Sequence, residues 1–483
     1  MNWIKTENNK KINALEIPTI SIEQMRSDLK EMKLRPVGFF GKQEFENVRL
    51  YVTLADDKQG KLYISSVLFT PDIKSYNSFT QDISQLHIFE REFYEEFKIE
   101  PKNHPWLKPL RKNQDEYPFF TMQGEDVHEV AVGPIHAGVI EPGHFRFMCQ
   151  GEKVYNLEIM LGYQYKGIED LFLKNPDNRL AESVCGDSVI AHNMAYSQVM
   201  EALSDTKIPE RAQIIRRIAL ELERMAVHIG DMGAIAGDMA YLMGASIFGT
   251  TRTLVINTML EITGSRFGRG LINTGGVNFD IDFEMSDKIR NVLDEVIKIV
   301  EKTTKTMLKS SSCISRMERT GTVSTETAYA LGAVGMAARS SGINLDSRFD
   351  FKDRWYEKCP WEEDFKFTGD VYSRFKLRYK EVKQSARFID DLLEELKDYE
   401  DGLKVPVGNL IRNAFVVSIT EGWRGEVVHT AITGANAELI RYKIKDASFN
   451  NWYMLAMAVR NNGISDFPLC NKSFNLSYCA NDL

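Results

Sequence analysis

The stretch from Arg179 to Leu203, RLAESVCGDSVIAHNMAYSQVMEAL, decides the fold. A Cys-Gly-x-x turn at Cys185 opens a helix carrying His192 and Tyr196, so a thiol and an imidazole stand at the start of one element. A metal site of this design wants a second thiolate three residues after the first, because thiolates are soft ligands that hold transition metals tightly. The residue there is Ser188. The stretch is either a metal site or built on the pattern of one.

Working outward, 483 residues are more than one domain usually holds, and they supply ample material for a buried core. Hydrophobic residues at 43% and charged residues at 27% are the balance of a folded globular protein. A net charge of -8 argues against a nucleic-acid partner and against direct docking on anionic lipid. No apolar run approaches the roughly 20 residues of a spanning helix, and the opening MNWIKTENNKK has no apolar signal core. The expectation is a cytosolic protein whose membrane contact comes only through partners. Cys149, Cys185, Cys313, Cys359, Cys470 and Cys479 form no C-x-x-C pair. For any one of them a buried, inert thiol is the ordinary reading.

Upstream, a leading helix is expected over Ile22 to Met32, followed by period-two strands at Leu50 to Ala55 and Lys61 to Phe69. Leu86, Phe89, Phe93 and Phe97 recur at helical spacing, with the acidic residues of that helix outside. NHPWLKPLRKNQDEYPF, which carries three prolines, then reads as a linker near residues 101 to 120. HFRFMCQ and VYNLEIML then read as strands beside the loop GPIHAGVIEPGH. Pro209 sits in the first turn of a helix with an apolar stripe at Ile214, Ile218, Met225 and Ile229. Its polar stripe, Arg217, Glu221, Arg224 and His228, reads as a solvated or salt-bridged face unless it meets a partner's cofactor. Further helices are expected at Met285 to Lys305, Thr325 to Ser340 and Tyr379 to Tyr399. SRFGRGLINTGGVNFDI is Gly-rich but has neither P-loop nor dinucleotide spacing. The segments around EGWRGEVVHTAIT are β-rich. The expected class is α+β: a small N-terminal α/β domain, residues 1–118, and a larger, mainly helical domain with a small β-sheet, residues 119–483.

Several long motifs occur in one order: GPIHAGVIEPGHFRF (133–147), Cys185 to Leu203, RFGRGLINTGGVNFDI (266–281), EGWRGE (421–426) and SFNLSYCANDL (473–483). Together they resemble the large subunit of the membrane-bound, energy-converting nickel-iron hydrogenases of the formate-hydrogenlyase type. That subunit is similar in turn to the 49-kDa subunit of respiratory complex I. FEREFYEEFKI and NHPWLKPLR resemble the 30-kDa subunit of complex I, and the likeness covers nearly the whole chain beyond about residue 35.

The resemblance implies a site and tests it. The family binds nickel and iron through four thiolates of two C-x-x-C pairs, which fall here on Cys185, Ser188, Ser477 and Ala480. One thiol of four remains, so no nickel-iron centre is expected. A rearranged site from Cys185, Cys470 and Cys479 is the alternative. Glu141 matches the glutamate that passes protons at the nickel site, or is a loop carboxylate accepting backbone N–H groups. Arg424 matches the arginine suspended over the metals, and without them would anchor an anion, a quinone headgroup, Glu141 or Asp482. His136 and His144 match the loop that lines the quinone cavity of complex I, and each is otherwise a structural histidine. His228 matches a histidine beside the terminal iron-sulfur cluster of the neighbouring subunit, which implies an interface role. Gly186 stands where complex I has a quinone-binding tyrosine.

The implied role is the large subunit of a peripheral oxidoreductase complex on the cytoplasmic side of the cell membrane. Iron-sulfur clusters would sit in a small partner subunit, membrane-arm subunits would be further partners, and a quinone-like acceptor is possible. The rival readings are an active hydrogenase with non-standard ligands and a scaffold subunit without chemistry.

Overall fold

The computed structural model describes residues 2–112, 117–136, 141–351, 353–357 and 368–483; Cys359 lies outside them. The chain opens with β1 (Ile4–Thr6), β2 (Ile12–Asn13) and α1 (Ile22–Met32), whose Ser21 cap accepts from the Gln24 amide at 3.1 Å. β3 (Arg35–Glu44), β4 (Asn47–Asp56) and β5 (Lys61–Phe69) form a meander that β1 extends, in the order β1-β5-β4-β3. All its pairings are antiparallel, with hairpins joining β3 to β4 and β4 to β5, which corrects the α/β expectation for this part. A short parallel pair, β6 (Ser75–Asn77) and β7 (Glu100–Lys102), flanks α2 (His87–Phe97). Met25 and Leu29 of α1 and Phe89 and Phe93 of α2 pack with Leu50, Val52 and Phe69 of the sheet.

One expectation about α2 is corrected. Glu90 and Glu92 are buried rather than outside. Glu90 takes hydrogen bonds from Ser78, Phe79 and Thr80 at 2.6–2.9 Å, and Glu92 pairs with Arg111 and, at 2.6 Å, with Lys443. The proline-bearing segment is likewise strapped down. Glu95 accepts from the amides of Leu110, Arg111 and Lys112, and these bonds hold a stretch that its prolines keep from folding as a helix.

β8 (Val127–Val132), β9 (His144–Gln150) and β10 (Lys153–Met160) make a three-stranded antiparallel sheet. α3 (Ile168–Lys174), α4 (Asn178–Glu182) and α5 (Val189–Leu203) follow, then two long helices, α6 (Glu210–Asp238) and α7 (Leu242–Thr263). The Gly-rich segment makes a small hairpin, β11 (Ile272–Asn273) and β12 (Gly276–Val277), tied by Arg216 to the carbonyls of Asn273 and Gly276. α8 (Phe283–Met307), α9 (Ser311–Met317), α10 (Thr325–Ala330), α11 (Gly335–Ser340), α12 (Ser347–Asp350) and α13 (Val371–Glu395) complete the helical part. One core runs through α5, α6, α7, α8 and α13, with Ile218, Met225, Ile229, Phe248, Val296 and Ile389 buried in it.

The helix expected over Thr325 to Ser340 is two, α10 and α11. Gly332 and Gly335 between them have φ of +68° and +59°, which an α-helix does not accommodate.

β13 (Ala414–Glu421), β14 (Glu426–Thr433) and β15 (Leu439–Lys445) form the last sheet, and β2 joins its edge beside β13. Phe40 and Tyr51 of the first sheet pack against Phe415 of this one. Arg35 of β3 reaches Glu426 of β14 at 2.7 Å. α14 (Ala447–Val459), α15 (Phe467–Phe474) and α16 (Tyr478–Asp482) end the chain, α14 and α15 lying against β9 and β10. The class is α+β.

Candidate functional site

Three segments converge at the N-terminus of α5. The turn before α5 brings Cys185 and Asp187, the β13–β14 turn brings Arg424, and the entry to α16 brings Ser477 and Cys479. Arg424 grips both carboxylate oxygens of Asp187, each at 2.7 Å, in the bidentate geometry a guanidinium favours. Its guanidinium lies 3.9 Å over the Trp423 ring, and the Trp423 indole donates to the Asp187 carbonyl at 2.8 Å. The Cys185 thiol donates to Asp187 Oδ1 at 3.1 Å and lies 3.4 Å from Arg424 Nη1 and from Ser477 Oγ. Ser477 Oγ is also 3.4 Å from the Cys479 sulfur.

Electrostatics follow from this packing. Burial alone would push the Asp187 carboxyl up, but the Arg424 guanidinium outweighs it and holds the group below its ordinary range. The neighbouring Cys479 sulfur, together with burial and the Asp187 carboxylate, drives Cys185 well above the usual thiol value. Cys185 in turn lowers Cys479.

The Arg424 turn is fixed from beneath. Arg224 of α6 donates to the carbonyls of Glu421 and Gly422 at 2.7 and 2.9 Å. Gly425 (φ +140°) lies against Gly335, where a Cβ would sit 2.0 Å from the Gly425 Cα, so neither glycine has room for a side chain.

The polar stripe of α6 is salt-bridged, as one of its two readings held, but it is buried rather than solvated. Glu221, Arg224 and His228 have no exposure. Glu221 receives Arg224, Arg348, the Tyr356 hydroxyl and the Ser385 hydroxyl at 2.6–3.1 Å. Glu381 of α13 receives His228 at 2.7 Å and Arg339 at 2.8 Å, and Arg339 continues to Glu421 at 2.7 Å. The interlocked charges explain how helices α6, α11 and α13 can bury so many ions: each is paired and hydrogen-bonded. His228 presents no surface of its own. Its ring faces Trp423 edge-on at 6.1 Å, and burial lowers its pKa.

The other sequence-derived residues fall around this centre. Glu141 Oε2 accepts from the Tyr478 amide at 3.1 Å, the role of a loop carboxylate. Residues 137–140 of the same loop lie outside the described set. His136 Nε2 is 2.8 Å from the Gly143 carbonyl, and His144 Nδ1 is 3.2 Å from the Gly133 carbonyl, so both rings brace the two ends of the loop. Asp482 is fully buried and accepts from the amides of Gly162 and Gln164 at 2.8 and 3.0 Å. Arg424 therefore pairs with neither Glu141 nor Asp482; its anion is Asp187. No thiol or imidazole marked Asp187, and only the intervening position of the Cys-Gly-x-x turn hinted at it. His192, fully buried, lies 3.3 Å from Asp446 Oδ2 and 3.1 Å from His429, which is 2.7 Å from the Tyr442 hydroxyl.

The donor set does not fit a four-thiolate nickel-iron centre. The four ligand positions hold one thiol, two hydroxyls and a methyl. Ser477 Oγ is already engaged in accepting from the Ala480 amide at 3.1 Å, capping α16, and a serine hydroxyl loses its proton far less readily than a thiol. The rearranged three-cysteine site is corrected as well. Cys470 lies on α15 in the core beneath β9 and β10, facing Gly321 and Arg374, and burial raises its thiol to about 12. Among the described residues no group of three or more His, Cys, Asp or Glu is placed to hold a metal ion.

Residues 236–406 match the family model described as respiratory-chain NADH dehydrogenase, 49 Kd subunit. Formate hydrogenlyase subunit 5 of Escherichia coli is 29% identical over 78% of this chain and 69% of its own length. Hydrogenase-4 component G of the same organism is 30% identical over 78% of this chain, which spans 65% of that relative's length. An NADH-quinone oxidoreductase subunit of Herpetosiphon aurantiacus is 26% identical over 70% of this chain and 94% of its own length. Over residues 236–406 the chain is thus similar to the respiratory NADH dehydrogenase 49 Kd subunit family, and over most of its length it is similar to oxidoreductase subunits of two kinds, hydrogenase and NADH-quinone oxidoreductase.

Proposed function

We propose that this chain is the large subunit of a membrane-bound oxidoreductase complex related to NADH-quinone oxidoreductase and energy-converting hydrogenase, in a branch without the nickel-iron centre. One observation carries the reading: Cys185 and Ser477, at two of the four ligand positions, are satisfied by Asp187, Arg424 and Cys479 around them, leaving no open set of soft donors. Electrons come from iron-sulfur clusters of a small partner subunit and pass to a quinone-like acceptor near this site, or the site's charge state is transmitted to membrane-arm subunits that move an ion. Glu141 and Arg424 remain as proton-handling and anion-binding groups, Asp482 anchors the C-terminal segment behind them, and the loop of His136 and His144 borders the acceptor.

No helix among the described residues is long and apolar enough to cross a membrane. The reading assigns attachment to partners, on the cytoplasmic face. It also assigns residues 1–118 to a 30-kDa-like unit and 119–483 to a 49-kDa-like unit.

Nickel and iron analysis of the purified complex, with a hydrogen-uptake assay, tests this. We expect no stoichiometric nickel and no uptake; one nickel per chain would overturn the reading. In the assembled complex Arg424→Met should cut electron transfer at least tenfold, and full retention of electron transfer would reduce the subunit to a scaffold.

A further inference from the structure

A half-open cavity of about 330 Å³ lies where β13, α5, α6 and α12 meet. The N-terminal segment supplies one wall. Asn8 pairs with the amide and the carbonyl of Ile419, both at 2.8 Å, and the Asn9 amide donates to the Val417 carbonyl at 3.0 Å, so the segment is laid along β13. This pinning holds Asn9 at a φ of +61°, with its Oδ1 closed off from solvent and without a partner among the described residues. Ser347, at the start of α12 and 6% exposed, also lines the cavity, and its hydroxyl likewise has no partner there. Orphaned buried polar atoms cost free energy and are rare. Two of them on one cavity call for a ligand that bonds both. The space far exceeds the about 10–15 Å³ that one water needs, and it falls within the range of about 300–1,000 Å³ of small-molecule pockets.

Among the described residues the wall offers no free charge. Arg217 is held by Asp353 at 2.6 Å, Arg348 by Asp346 at 2.7 Å, Glu421 by Arg339 at 2.7 Å and Arg354 by Glu210, so an ionic ligand finds each opposite charge already taken. A flat aromatic ligand is disfavoured as well, because the rings on the wall are occupied. Arg354 lies over Trp355 at 4.4 Å, Phe388 meets Tyr356 edge-on at 4.9 Å, and Phe351 packs into the core between the two sheets. What remains is uncharged. Gln198 Oε1 accepts from the Ser418 and Thr420 hydroxyls at 3.0 and 3.1 Å, and Gln213 Oε1 from the Trp355 indole at 3.4 Å, so each glutamine keeps its amide N–H groups as donors. Asn9 Oδ1 adds an acceptor, and the Ser347 hydroxyl can donate or accept. Donors and acceptors spread over several elements, without charge and without a stacking face, match a ring whose substituents each donate and accept. We propose that this cavity is a binding site for a small neutral polyol of the size of one sugar ring. The bound polyol completes Ser347, whose own amide donates to Glu421 at 3.1 Å, and so borders the charge network under the Arg424 turn. The site does not depend on the redox reading above.

The test uses the purified complex, saturation-transfer NMR and calorimetric titration, with glucose, galactose, mannose, ribose and myo-inositol as probes and adenosine and uracil as controls. At least one of the polyols should bind saturably. Ser347→Ala removes an unpartnered hydroxyl and leaves the residue's amide on Glu421, and Asn9→Gly keeps the positive φ while removing the acceptor. Each should weaken that binding about tenfold, the size of one lost hydrogen bond. Neither side chain is hydrogen-bonded to a described residue, so both variants should assemble as wild type does. The proposal is overturned if none of the five polyols saturates, if both variants bind as wild type, which places the binding elsewhere, or if adenosine or uracil, and no polyol, binds with sensitivity to the two changes. These readouts need no turnover, so they stand apart from the nickel and electron-transfer tests.

Discussion

Glu426 joins the two halves of the chain through charge, and Glu426→Gln measures that junction. The carboxylate, 1% exposed, sits between Arg35 of β3 at 2.7 Å and Lys445 of β15. Burial works to raise it, but the two cations outweigh burial and hold it at about 2 against an ordinary 4.5. The folded-state pKa is depressed, so the carboxylate's contribution is fully present above the unfolded value and is lost as pH falls through the folded one. At pH 7 the difference of about 2.5 pKa units corresponds to about 3 kcal/mol, at about 1.36 kcal/mol per unit. At pH 3 the same linkage leaves about 1.4 kcal/mol. Glutamine keeps the shape and loses the charge, stranding Lys445 with Asn450 as its remaining partner at 3.2 Å. Urea denaturation of wild type and variant at pH 7 and pH 3, followed by tryptophan fluorescence, should show a gap of about 3 kcal/mol that more than halves between the two. A gap below about 0.5 kcal/mol at pH 7, the size of an ordinary surface substitution, or one that does not change with pH, would refute the assignment of Glu426 as the charge holding β3 to β14.

Arg339→Met removes the cation shared by Glu381 and Glu421. Stranding buried carboxylates in this way costs about 3–5 kcal/mol, which denaturation midpoints should report, and a second change, Glu421→Leu, should recover part of the loss. Ser477→Ala removes the α16 cap and should cost about 1 kcal/mol without altering the metal content of the complex. A loss of bound metal on that substitution would show that Ser477 ligates.

Local physics made much of the fold readable. The helix over Ile22 to Met32 and the strand over Lys61 to Phe69 have the boundaries that their periodicity and flanking turns indicate. α7 escaped the same reading because threonines and glycines interrupt the face that Phe248, Val255, Met259 and Ile262 bury. Thr250, Thr251, Thr253, Thr258 and Thr263 instead bond back to carbonyls four residues earlier, a local satisfaction that leaves no mark in the pattern. The α6 stripe shows the opposite limit. Arg217, Glu221, Arg224 and His228 are visible as one face, but whether water or protein meets that face depends on Arg339, Arg348 and Glu381, more than a hundred residues away. Cys185 and Arg424 were legible because each lies in a motif. Asp187 was not, because its meaning comes from a guanidinium 237 positions further along.

The pairing of Asp187 with Arg424 changes what the missing thiolates imply. Four thiolates balance the positive charge of two metals, so removing three of them and the metals together would leave Arg424 as a buried cation beside a single thiol. Such a cation is tolerable only with a partner, and Asp187 supplies it from the same turn that carries Cys185. The centre is then closed in charge and in hydrogen bonds. Both carboxylate oxygens of Asp187 are taken by Arg424, so the turn offers that guanidinium, rather than an open oxygen, its charge.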